Sequence, residues 1–310
     1  MGEAFVALAD DATATWWNPA GLGFLTANEM TLMHTNWLPQ FHLPDLYFDF
    51  VSYIHNVPDW GTFGGNLVFM NYGEIIQTNE IGTVIGNFNA YEVAATGAYG
   101  SQVNDNLSMG VGIKFVYSHL SPLGAGQEKG EGIASVFALD IGALYKFRRF
   151  PGLQIGANLA NMGPKISYID RAQADPLPTN LKMGVAYRLI DQEYNKLTMT
   201  FDVDKELVTR DENGTDPFYI AMFTSWYNDG GFMSAKELEE FIWHAGMEYW
   251  YGNLVGLRCG YWYDDLGKVY PFTAGFSIQY SAYRFDFGYM TAGENHPVTD
   301  TMRFSLTFGL

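Results

Sequence analysis

Strict alternation is the feature that most limits what this chain can become. Leu181, Met183, Val185, Tyr187 and Leu189 are apolar, while Lys182, Gly184, Ala186 and Arg188 between them are charged or small. The pattern returns at Leu107, Met109, Val111, Ile113, Phe115 and Tyr117, and at Leu197, Met199, Phe201 and Val203. It closes the chain with Met302, Phe304, Leu306, Phe308 and Leu310. A period of two sends one set of side chains to each face of a strand. The runs extend for about 9–13 residues, the reach of a tilted strand across a bilayer. Glycine recurs on the face opposite the apolar one, at Gly110, Gly112, Gly184 and Gly309.

Composition narrows the choice. Hydrophobic residues make up 48% of the 310, aromatics 16% and charged residues 16%, the last well under the usual quarter. Mean hydropathy is still only −0.07, and no uninterrupted apolar run reaches the roughly 18 residues of a spanning helix. A soluble sandwich of this size would need a polar outer face and more charge. These facts fit an all-β fold, a transmembrane antiparallel up-and-down β-barrel that hides its hydrophobicity in alternation. Turn signals divide the chain into about fourteen strands, near 29–37, 46–55, 61–72, 88–100, 107–118, 132–147, 153–161, 179–190, 196–205, 240–251, 254–264, 270–280, 283–290 and 302–310. The connections between them alternate, short then long. Such asymmetry belongs to outer-membrane barrels with short periplasmic turns and long outer loops. An even strand count puts both termini on the periplasmic side.

Charge and chemistry exclude several functions. The net charge of −17 would repel phosphate, so no nucleic-acid partner is expected. Cys259 is the one cysteine, on a lipid-facing position, so no intrachain disulfide can form. His34, His42, His55, His119, His244 and His296 are scattered, without a nucleophile elbow, zinc helix, CxxC or phosphate loop. Neither an enzyme, a cofactor nor a metal is expected. The longest loop, 206–239, carries an acidic turn, Asp211, Glu212, Asn213, Gly214 and Asp216, which lacks the full spacing of a calcium loop. It continues into Ser234-Ala235-Lys236-Glu237, a capping box that predicts a short helix through Leu238 and Phe241.

A charge facing lipid near the midplane costs about 2–4 kcal/mol. The register therefore turns Lys114, Asp140, Lys146, Lys182, Arg188, Asp202, Asp204, Glu248, Arg258, Arg284, Asp286 and Arg303 into the lumen. Their mixed signs suggest ion pairs crossing a filled or narrow interior. Trp243, Tyr249, Trp250, Tyr251, Tyr261, Trp262 and Tyr263 crowd the strand ends, as interfacial girdles do.

Residues 1–28 precede the first strand of a barrel covering 29–310. Met1 opens without the basic stretch and apolar core of a secretory signal, as in a mature or trimmed form. The segment is apolar, with Trp16 and Trp17 at its centre, yet no membrane strand is available to it. Asn18, Pro19, Ala20 and Gly21 supply the turn that would fold it inward, proline fixing φ and glycine relaxing it. The expectation is a plug, or hatch, inside the barrel.

The string GEAFVALADDATATWWNPAGL at Gly2–Leu22 resembles the N-terminal signature of the PorV/PorQ proteins, within the wider FadL-like group of outer-membrane barrels. LQIGANLANMGPKISYID at Leu153–Asp170 and LPTNLKMGVAYRL at Leu177–Leu189 resemble mid-barrel segments of the same family. The resemblance implies a fourteen-stranded barrel with an N-terminal hatch whose turn is Asn18, Pro19, Ala20 and Gly21. It implies a place in the type IX secretion system, with the translocon and the C-terminal signal domains of exported cargo as partners beside outer-membrane lipids. The wider group implies an alternative, a channel that passes fatty acids or other hydrophobic molecules. A continuous apolar cavity beneath the hatch would favour the channel; the charged lumen favours the secretion role.

Overall fold

Backbone groups in a bilayer have no water to bond, so a spanning sheet must leave no edge. The computed structural model describes residues 1–79, 81–122, 131–168, 173–211, 214–227, 231, 234–294 and 296–310. Its first nine strands are β1 (Glu29–Asn36), β2 (Tyr47–Val57), β3 (Gly61–Thr78), β4 (Val84–Gln102), β5 (Leu107–Ser121), β6 (Gly132–Lys146), β7 (Leu153–Met162), β8 (Asn180–Asp191) and β9 (Asn195–Glu206). A two-stranded ladder of β10 (Arg210–Asp211) and β11 (Gly214–Thr215) lies within the longest loop. The wall resumes with β12 (Phe241–Tyr251), β13 (Val255–Tyr263), β14 (Phe272–Tyr280), β15 (Tyr283–Thr291) and β16 (Thr301–Gly309). Among the described residues fourteen of these strands form a closed antiparallel barrel, each bonded to its sequence neighbours in the wall.

Closure is made by β1 against β16, with Glu29 opposite Gly309 and Thr35 opposite Arg303. Leu310 N–H donates to the Asn28 carbonyl at 2.9 Å, which puts the first and last wall residues at one rim. Connections of six residues or fewer share that rim; those at the other are longer except for the tip between β3 and β4. Met199, Phe201, Phe276, Ile278, Phe304 and Leu306 stand exposed on the outer wall. Their inward neighbours Thr198, Thr200, Asp202, Ser277 and Thr307 are buried.

Two strands, β3 and β4, outrun their expected lengths the most. Residues 73–87, expected as a loop, continue the β3–β4 ladder from Gly73 to Thr78 against Val84 to Ala90. A bulge between Asn71 and Gly73, with Gly73 at φ +82, re-aims the pair where it leaves its neighbours. Its tip is closed by Asn79 Oδ1, which accepts from Ile81 N at 3.1 Å and Thr83 N at 2.8 Å. The exposed Ile75 and Ile76 break the alternation there, which is why the period failed to reveal strand. The capping box forms, with Ser234 Oγ accepting from Glu237 N at 3.2 Å. Its helix is shorter than expected, α3 (Ala235–Glu239), because Phe241 already begins β12. Of the acidic turn, Glu212 and Asn213 lie outside the described residues.

Arginine at Met199, on the outer face near the middle of β9, is expected to destabilise the barrel by about 2–4 kcal/mol, and arginine at Tyr280, on a strand end, by about 0–1. Denaturant titration of both variants in a bilayer-forming lipid checks the depth dependence.

Candidate functional site

The lumen is occupied by the chain's own N-terminus. Residues 14–17 form one turn of helix, α1 (Ala14–Trp17), and Pro19–Phe24 a 3-10 turn. Asn18 joins them: its Oδ1 accepts from Ala20 N at 3.1 Å, and its Nδ2 donates to the Val6 carbonyl at 2.7 Å. Pro19 supplies the first residue of the new turn, where a missing N–H costs nothing. Asn18, Pro19, Ala20 and Gly21 are all buried.

The wall receives this segment through glycines. Gly100, Gly110 and Gly142 lie side by side on β4, β5 and β6. Gly156 pairs with Gly184 across β7 and β8, and Gly246 with Gly260 across β12 and β13. A Cβ at Gly100, Gly110, Gly142, Gly156, Gly246 or Gly260 would come within 3.0 Å of residues 1–20, most often of their backbone. Glycine opposite the apolar face is thus the seat of a backbone packed directly on a strand wall.

Polar side chains fix the register of that seat. Asp202 Oδ2 accepts from the N–H groups of Phe5 at 2.7 Å and Val6 at 2.9 Å. Ser108 Oγ donates to the Ala20 carbonyl at 2.7 Å, Asn158 Nδ2 to the Trp17 carbonyl at 3.1 Å, and Ser52 Oγ to the Ala12 carbonyl at 2.6 Å. His244 Nδ1 lies 2.9 Å from the Gly2 carbonyl. Asp11 binds Arg284 at 2.7 Å, and from there a chain of pairs runs along the wall. Arg284 meets Asp286 at 3.0 Å, Asp286 meets Arg258 at 2.9 Å, and Arg258 meets Glu248 at 2.6 Å. Arg303 lies 3.7 Å from Glu3.

The tryptophans have separate partners. Lys114, paired to Asp140 at 3.2 Å, lies 5.4 Å from the Trp16 ring centre. Lys182, paired to Asp204 at 3.4 Å, lies 5.2 Å from that of Trp17. Cation–π attraction of this kind strengthens where water is scarce. Above the two rings, toward the long-loop rim, is a cavity of about 720 Å³. One wall is mostly apolar, from Met33, Phe48, Phe50, Val68, Met70 and Val116, with Glu92 at its edge; the other carries Arg258, Arg284, Asp286 and Arg303. Below the segment a second cavity of about 240 Å³ is polar, bounded by Asp10, Arg188, Lys196, Thr198 and Glu248. The segment lines both, and the cavity beneath it is the polar one.

The inward charges therefore pair sideways, within a strand or with strands one or two away, and onto the N-terminal segment, rather than across an open bore. Arg188 joins neither network; it sits half-exposed at the short-turn mouth, 3.6 Å from Asp191. Trp250 and Trp262 depart from the expected girdle, because their parity is opposite to that of Trp243, Tyr249, Tyr251, Tyr261 and Tyr263. Trp262 lines the upper cavity and Trp250 the lower one. Glu3, Asp11, Ser52, Ser108 and Asn158 were not singled out in the sequence. The one signal that could have found their neighbourhood was the level at which the inward glycines recur.

The fold is shared with solved structures of low sequence identity. The toluene transporter TodX of P. putida superposes with a TM-score of 0.58 at 14% identity, covering 96% of this chain and 93% of that one. A FadL homologue of Pseudomonas aeruginosa gives 0.51 at 11% identity, covering 98% and 95%. The toluene transporter TbuX of Ralstonia pickettii gives 0.51 at 14%, covering 99% and 96%. At these identities the likeness is one of fold. Residues 1–213 match the model of the type IX secretion system protein PorV, and the chain belongs to that family of outer-membrane barrels. No curated protein matches the sequence.

Two expectations follow for the seat. Valine at Gly110 drives a side chain into the Pro19 backbone, an overpacking that costs about 1–3 kcal/mol. Chymotrypsin should then cut at Trp16 and Trp17 in the folded variant and spare them in the parent. The second concerns Asp10, which touches water in the lower cavity while protein surrounds it on every side. Burial, and then the carboxylates of Asp11 and Glu248, push Asp10 up to about 7 from 3.8. Folding favours its protonated form, so its support of the seat is full below the ordinary carboxylate value and lost as pH rises to about 7. Hydrogen exchange of residues 7–12, corrected for intrinsic rate, should be slower at pH 5 than at pH 8, and Asp10→Asn should remove the difference.

Proposed function

We propose that this barrel serves type IX secretion by associating with the translocon and receiving cargo through its C-terminal signal domain, for delivery to the surface attachment machinery. The carrying observation is the match of residues 1–213 to the PorV family. The lumen supports the reading, since residues 1–28 act as a hatch that divides it and leave binding to the rims, loops and outer wall. The hatch turn is Asn18, Pro19, Ala20 and Gly21, with Trp16 and Trp17 as its apolar face. Lys114, Asp140, Lys182, Arg188, Asp202, Glu248, Arg258, Arg284, Asp286 and Arg303 are the lumen charges, most of them holding the wall or the hatch. In this reading the termini are periplasmic and the long loops, including 206–239, face the cell exterior. No catalytic step belongs to it.

One observation favours a second reading. The 720 Å³ cavity has a tryptophan floor and one mostly apolar wall, the kind of space in which a hydrophobic molecule is held. On that reading the protein is a channel for fatty acids or similar ligands, and the hatch must shift to let them pass.

Gentle purification from the native outer membrane, with mass spectrometry of everything recovered, separates the two. A very large translocon barrel, or proteins sharing a C-terminal signal domain, is the expected result. The barrel alone with a bound fatty acid or other hydrophobic ligand would overturn the secretion role in favour of the channel.

A further inference from the structure

The longest loop contains an anomaly of parity. On β9 the outward column runs Leu197, Met199, Phe201, Val203 and Lys205, and across the ladder Lys205 faces Phe241 of β12. Met199 and Phe201 are exposed to the surroundings of the barrel, yet Lys205 is 1% exposed. Its ammonium is held by Glu237 at 3.1 Å and by Glu240, both from the end of the loop. It also lies 5.6 Å from the centre of the Trp226 ring and 5.4 Å from that of Phe241. Thr179 and Leu207, just beyond the ends of β8 and β9 at this rim, are buried as well. The end of the loop between β9 and β12 is thus folded back over the outer wall.

What it lays beside the wall is a short helix, α2 (Phe218–Thr224). Trp226, just past its end, donates Nε1–H to the Met222 carbonyl at 3.0 Å. From Trp226 a line of rings descends the outer wall, through Phe241 at 6.2 Å, Trp243 at 6.1 Å and Phe201 at 5.9 Å. The last two belong to the exposed belt that faces lipid. The helix buries Ala221, while Tyr219 is 57%, Ile220 40% and Phe223 71% exposed. Positions 219, 220 and 223 share one face, so the bare side of α2 is its apolar side. A helix lying in water arranges its residues the other way round. Hydrogen bonding holds the polar side inward, with Thr224 Oγ1 donating to Asp216 at 2.8 Å and lying 3.0 Å from Thr209 Oγ1.

We propose that α2 is a lateral extension of the membrane belt: the Tyr219, Ile220 and Phe223 face rests in the bilayer interface beside β9 and β12, clasped there by Lys205 with Glu237 and Glu240. The occupant is lipid because the ring line that begins at Trp226, just past the end of α2, leads onto a wall that already meets lipid. The three exposed side chains carry no charge. Two apolar side chains and a tyrosine hydroxyl suit the depth where hydrocarbon gives way to headgroups. The clasp explains why a lysine is tolerated in an outward column: the loop removes it from lipid and supplies both counter-charges. This inference is independent of the secretion role.

The test uses the full chain with Cys259→Ser, reconstituted alone in phospholipid vesicles and carrying one nitroxide at a time. Labels are placed at Phe223→Cys, at Tyr219→Cys, at Met247→Cys as a belt reference and at Ile81→Cys as a water reference. Gel mobility before and after heating verifies that each barrel is closed. Power saturation with oxygen and with a water-soluble nickel chelate reads the surroundings of each label. The expected result is oxygen access exceeding nickel access several-fold at Phe223 and Tyr219, as at Met247. Lys205→Met is expected to shift both labels toward the Ile81 value; a closed Lys205→Met barrel that leaves them in lipid overturns the clasp. Nickel access at Phe223 and Tyr219 equal to that at Ile81 overturns the proposal. So does shielding from both reagents, which would mean a second copy covers the face. Exposure in vesicles with shielding only in native outer membrane would assign the face to another protein, and also overturns it.

Discussion

Closure of the β1–β16 ladder is the constraint on which everything else rests. A bilayer offers no partner to an unpaired N–H, so the last strand must find the first. Once Glu29 stands opposite Gly309, the residues ahead of β1 leave the wall at the short-turn rim with no further ladder to join. The lumen is the one enclosure within reach. Its inward glycines let a bare backbone lie against the strands, and the Asp202 carboxylate meets two N–H groups that would otherwise be stranded there. Membrane, ring and inner segment are consequences of one hydrogen-bonding rule.

Electrostatics follows the same division. The outer wall carries its charge near the rims, where His34 pairs with Asp49 in the open and Lys205 is enclosed by a loop. Inside, charges of both signs are chained, Asp11 to Arg284 to Asp286 to Arg258 to Glu248. Breaking one partner of such a chain leaves a buried charge without its counter-charge, far worse than an exposed pair lost. The chain includes a residue of the inner segment, so wall and segment share one network. The upper cavity owes its two-sided character to this arrangement, with guanidinium and carboxylate groups on β13, β15 and β16 facing a mostly apolar surface on β1 to β5.

Much of this was legible in the residues, and the limits have physical causes. Alternation located the wall strands because a lipid-facing side chain and a lumen-facing one obey opposite rules at every step. It failed at residues 73–87, where the β3–β4 hairpin rises beyond the membrane and neither face has a fixed solvent. Parity turned Lys114, Asp140, Lys182, Asp202, Arg258, Arg284 and Asp286 inward but could not choose their partners, because pairing depends on strand stagger. It also held the answer for Trp250 and Trp262, whose aromatic character masked their odd register. Asp11, Ser108 and Asn158 bind through contacts between residues more than a hundred positions apart or nearly so, a distance no local pattern spans.

The glycine seat also has a consequence in time. Its parts come from β4 to β7 and from β12 and β13, and the polar anchors from β2, β5, β7, β9 and β15. All of these lie later in the sequence than residues 1–28. The segment can therefore be seated only once the ring that encloses it has drawn together strands from both halves of the chain. Until then its two tryptophans have no dry surface to rest on. The chain's opening residues report, by where they lie, whether its final strand has arrived.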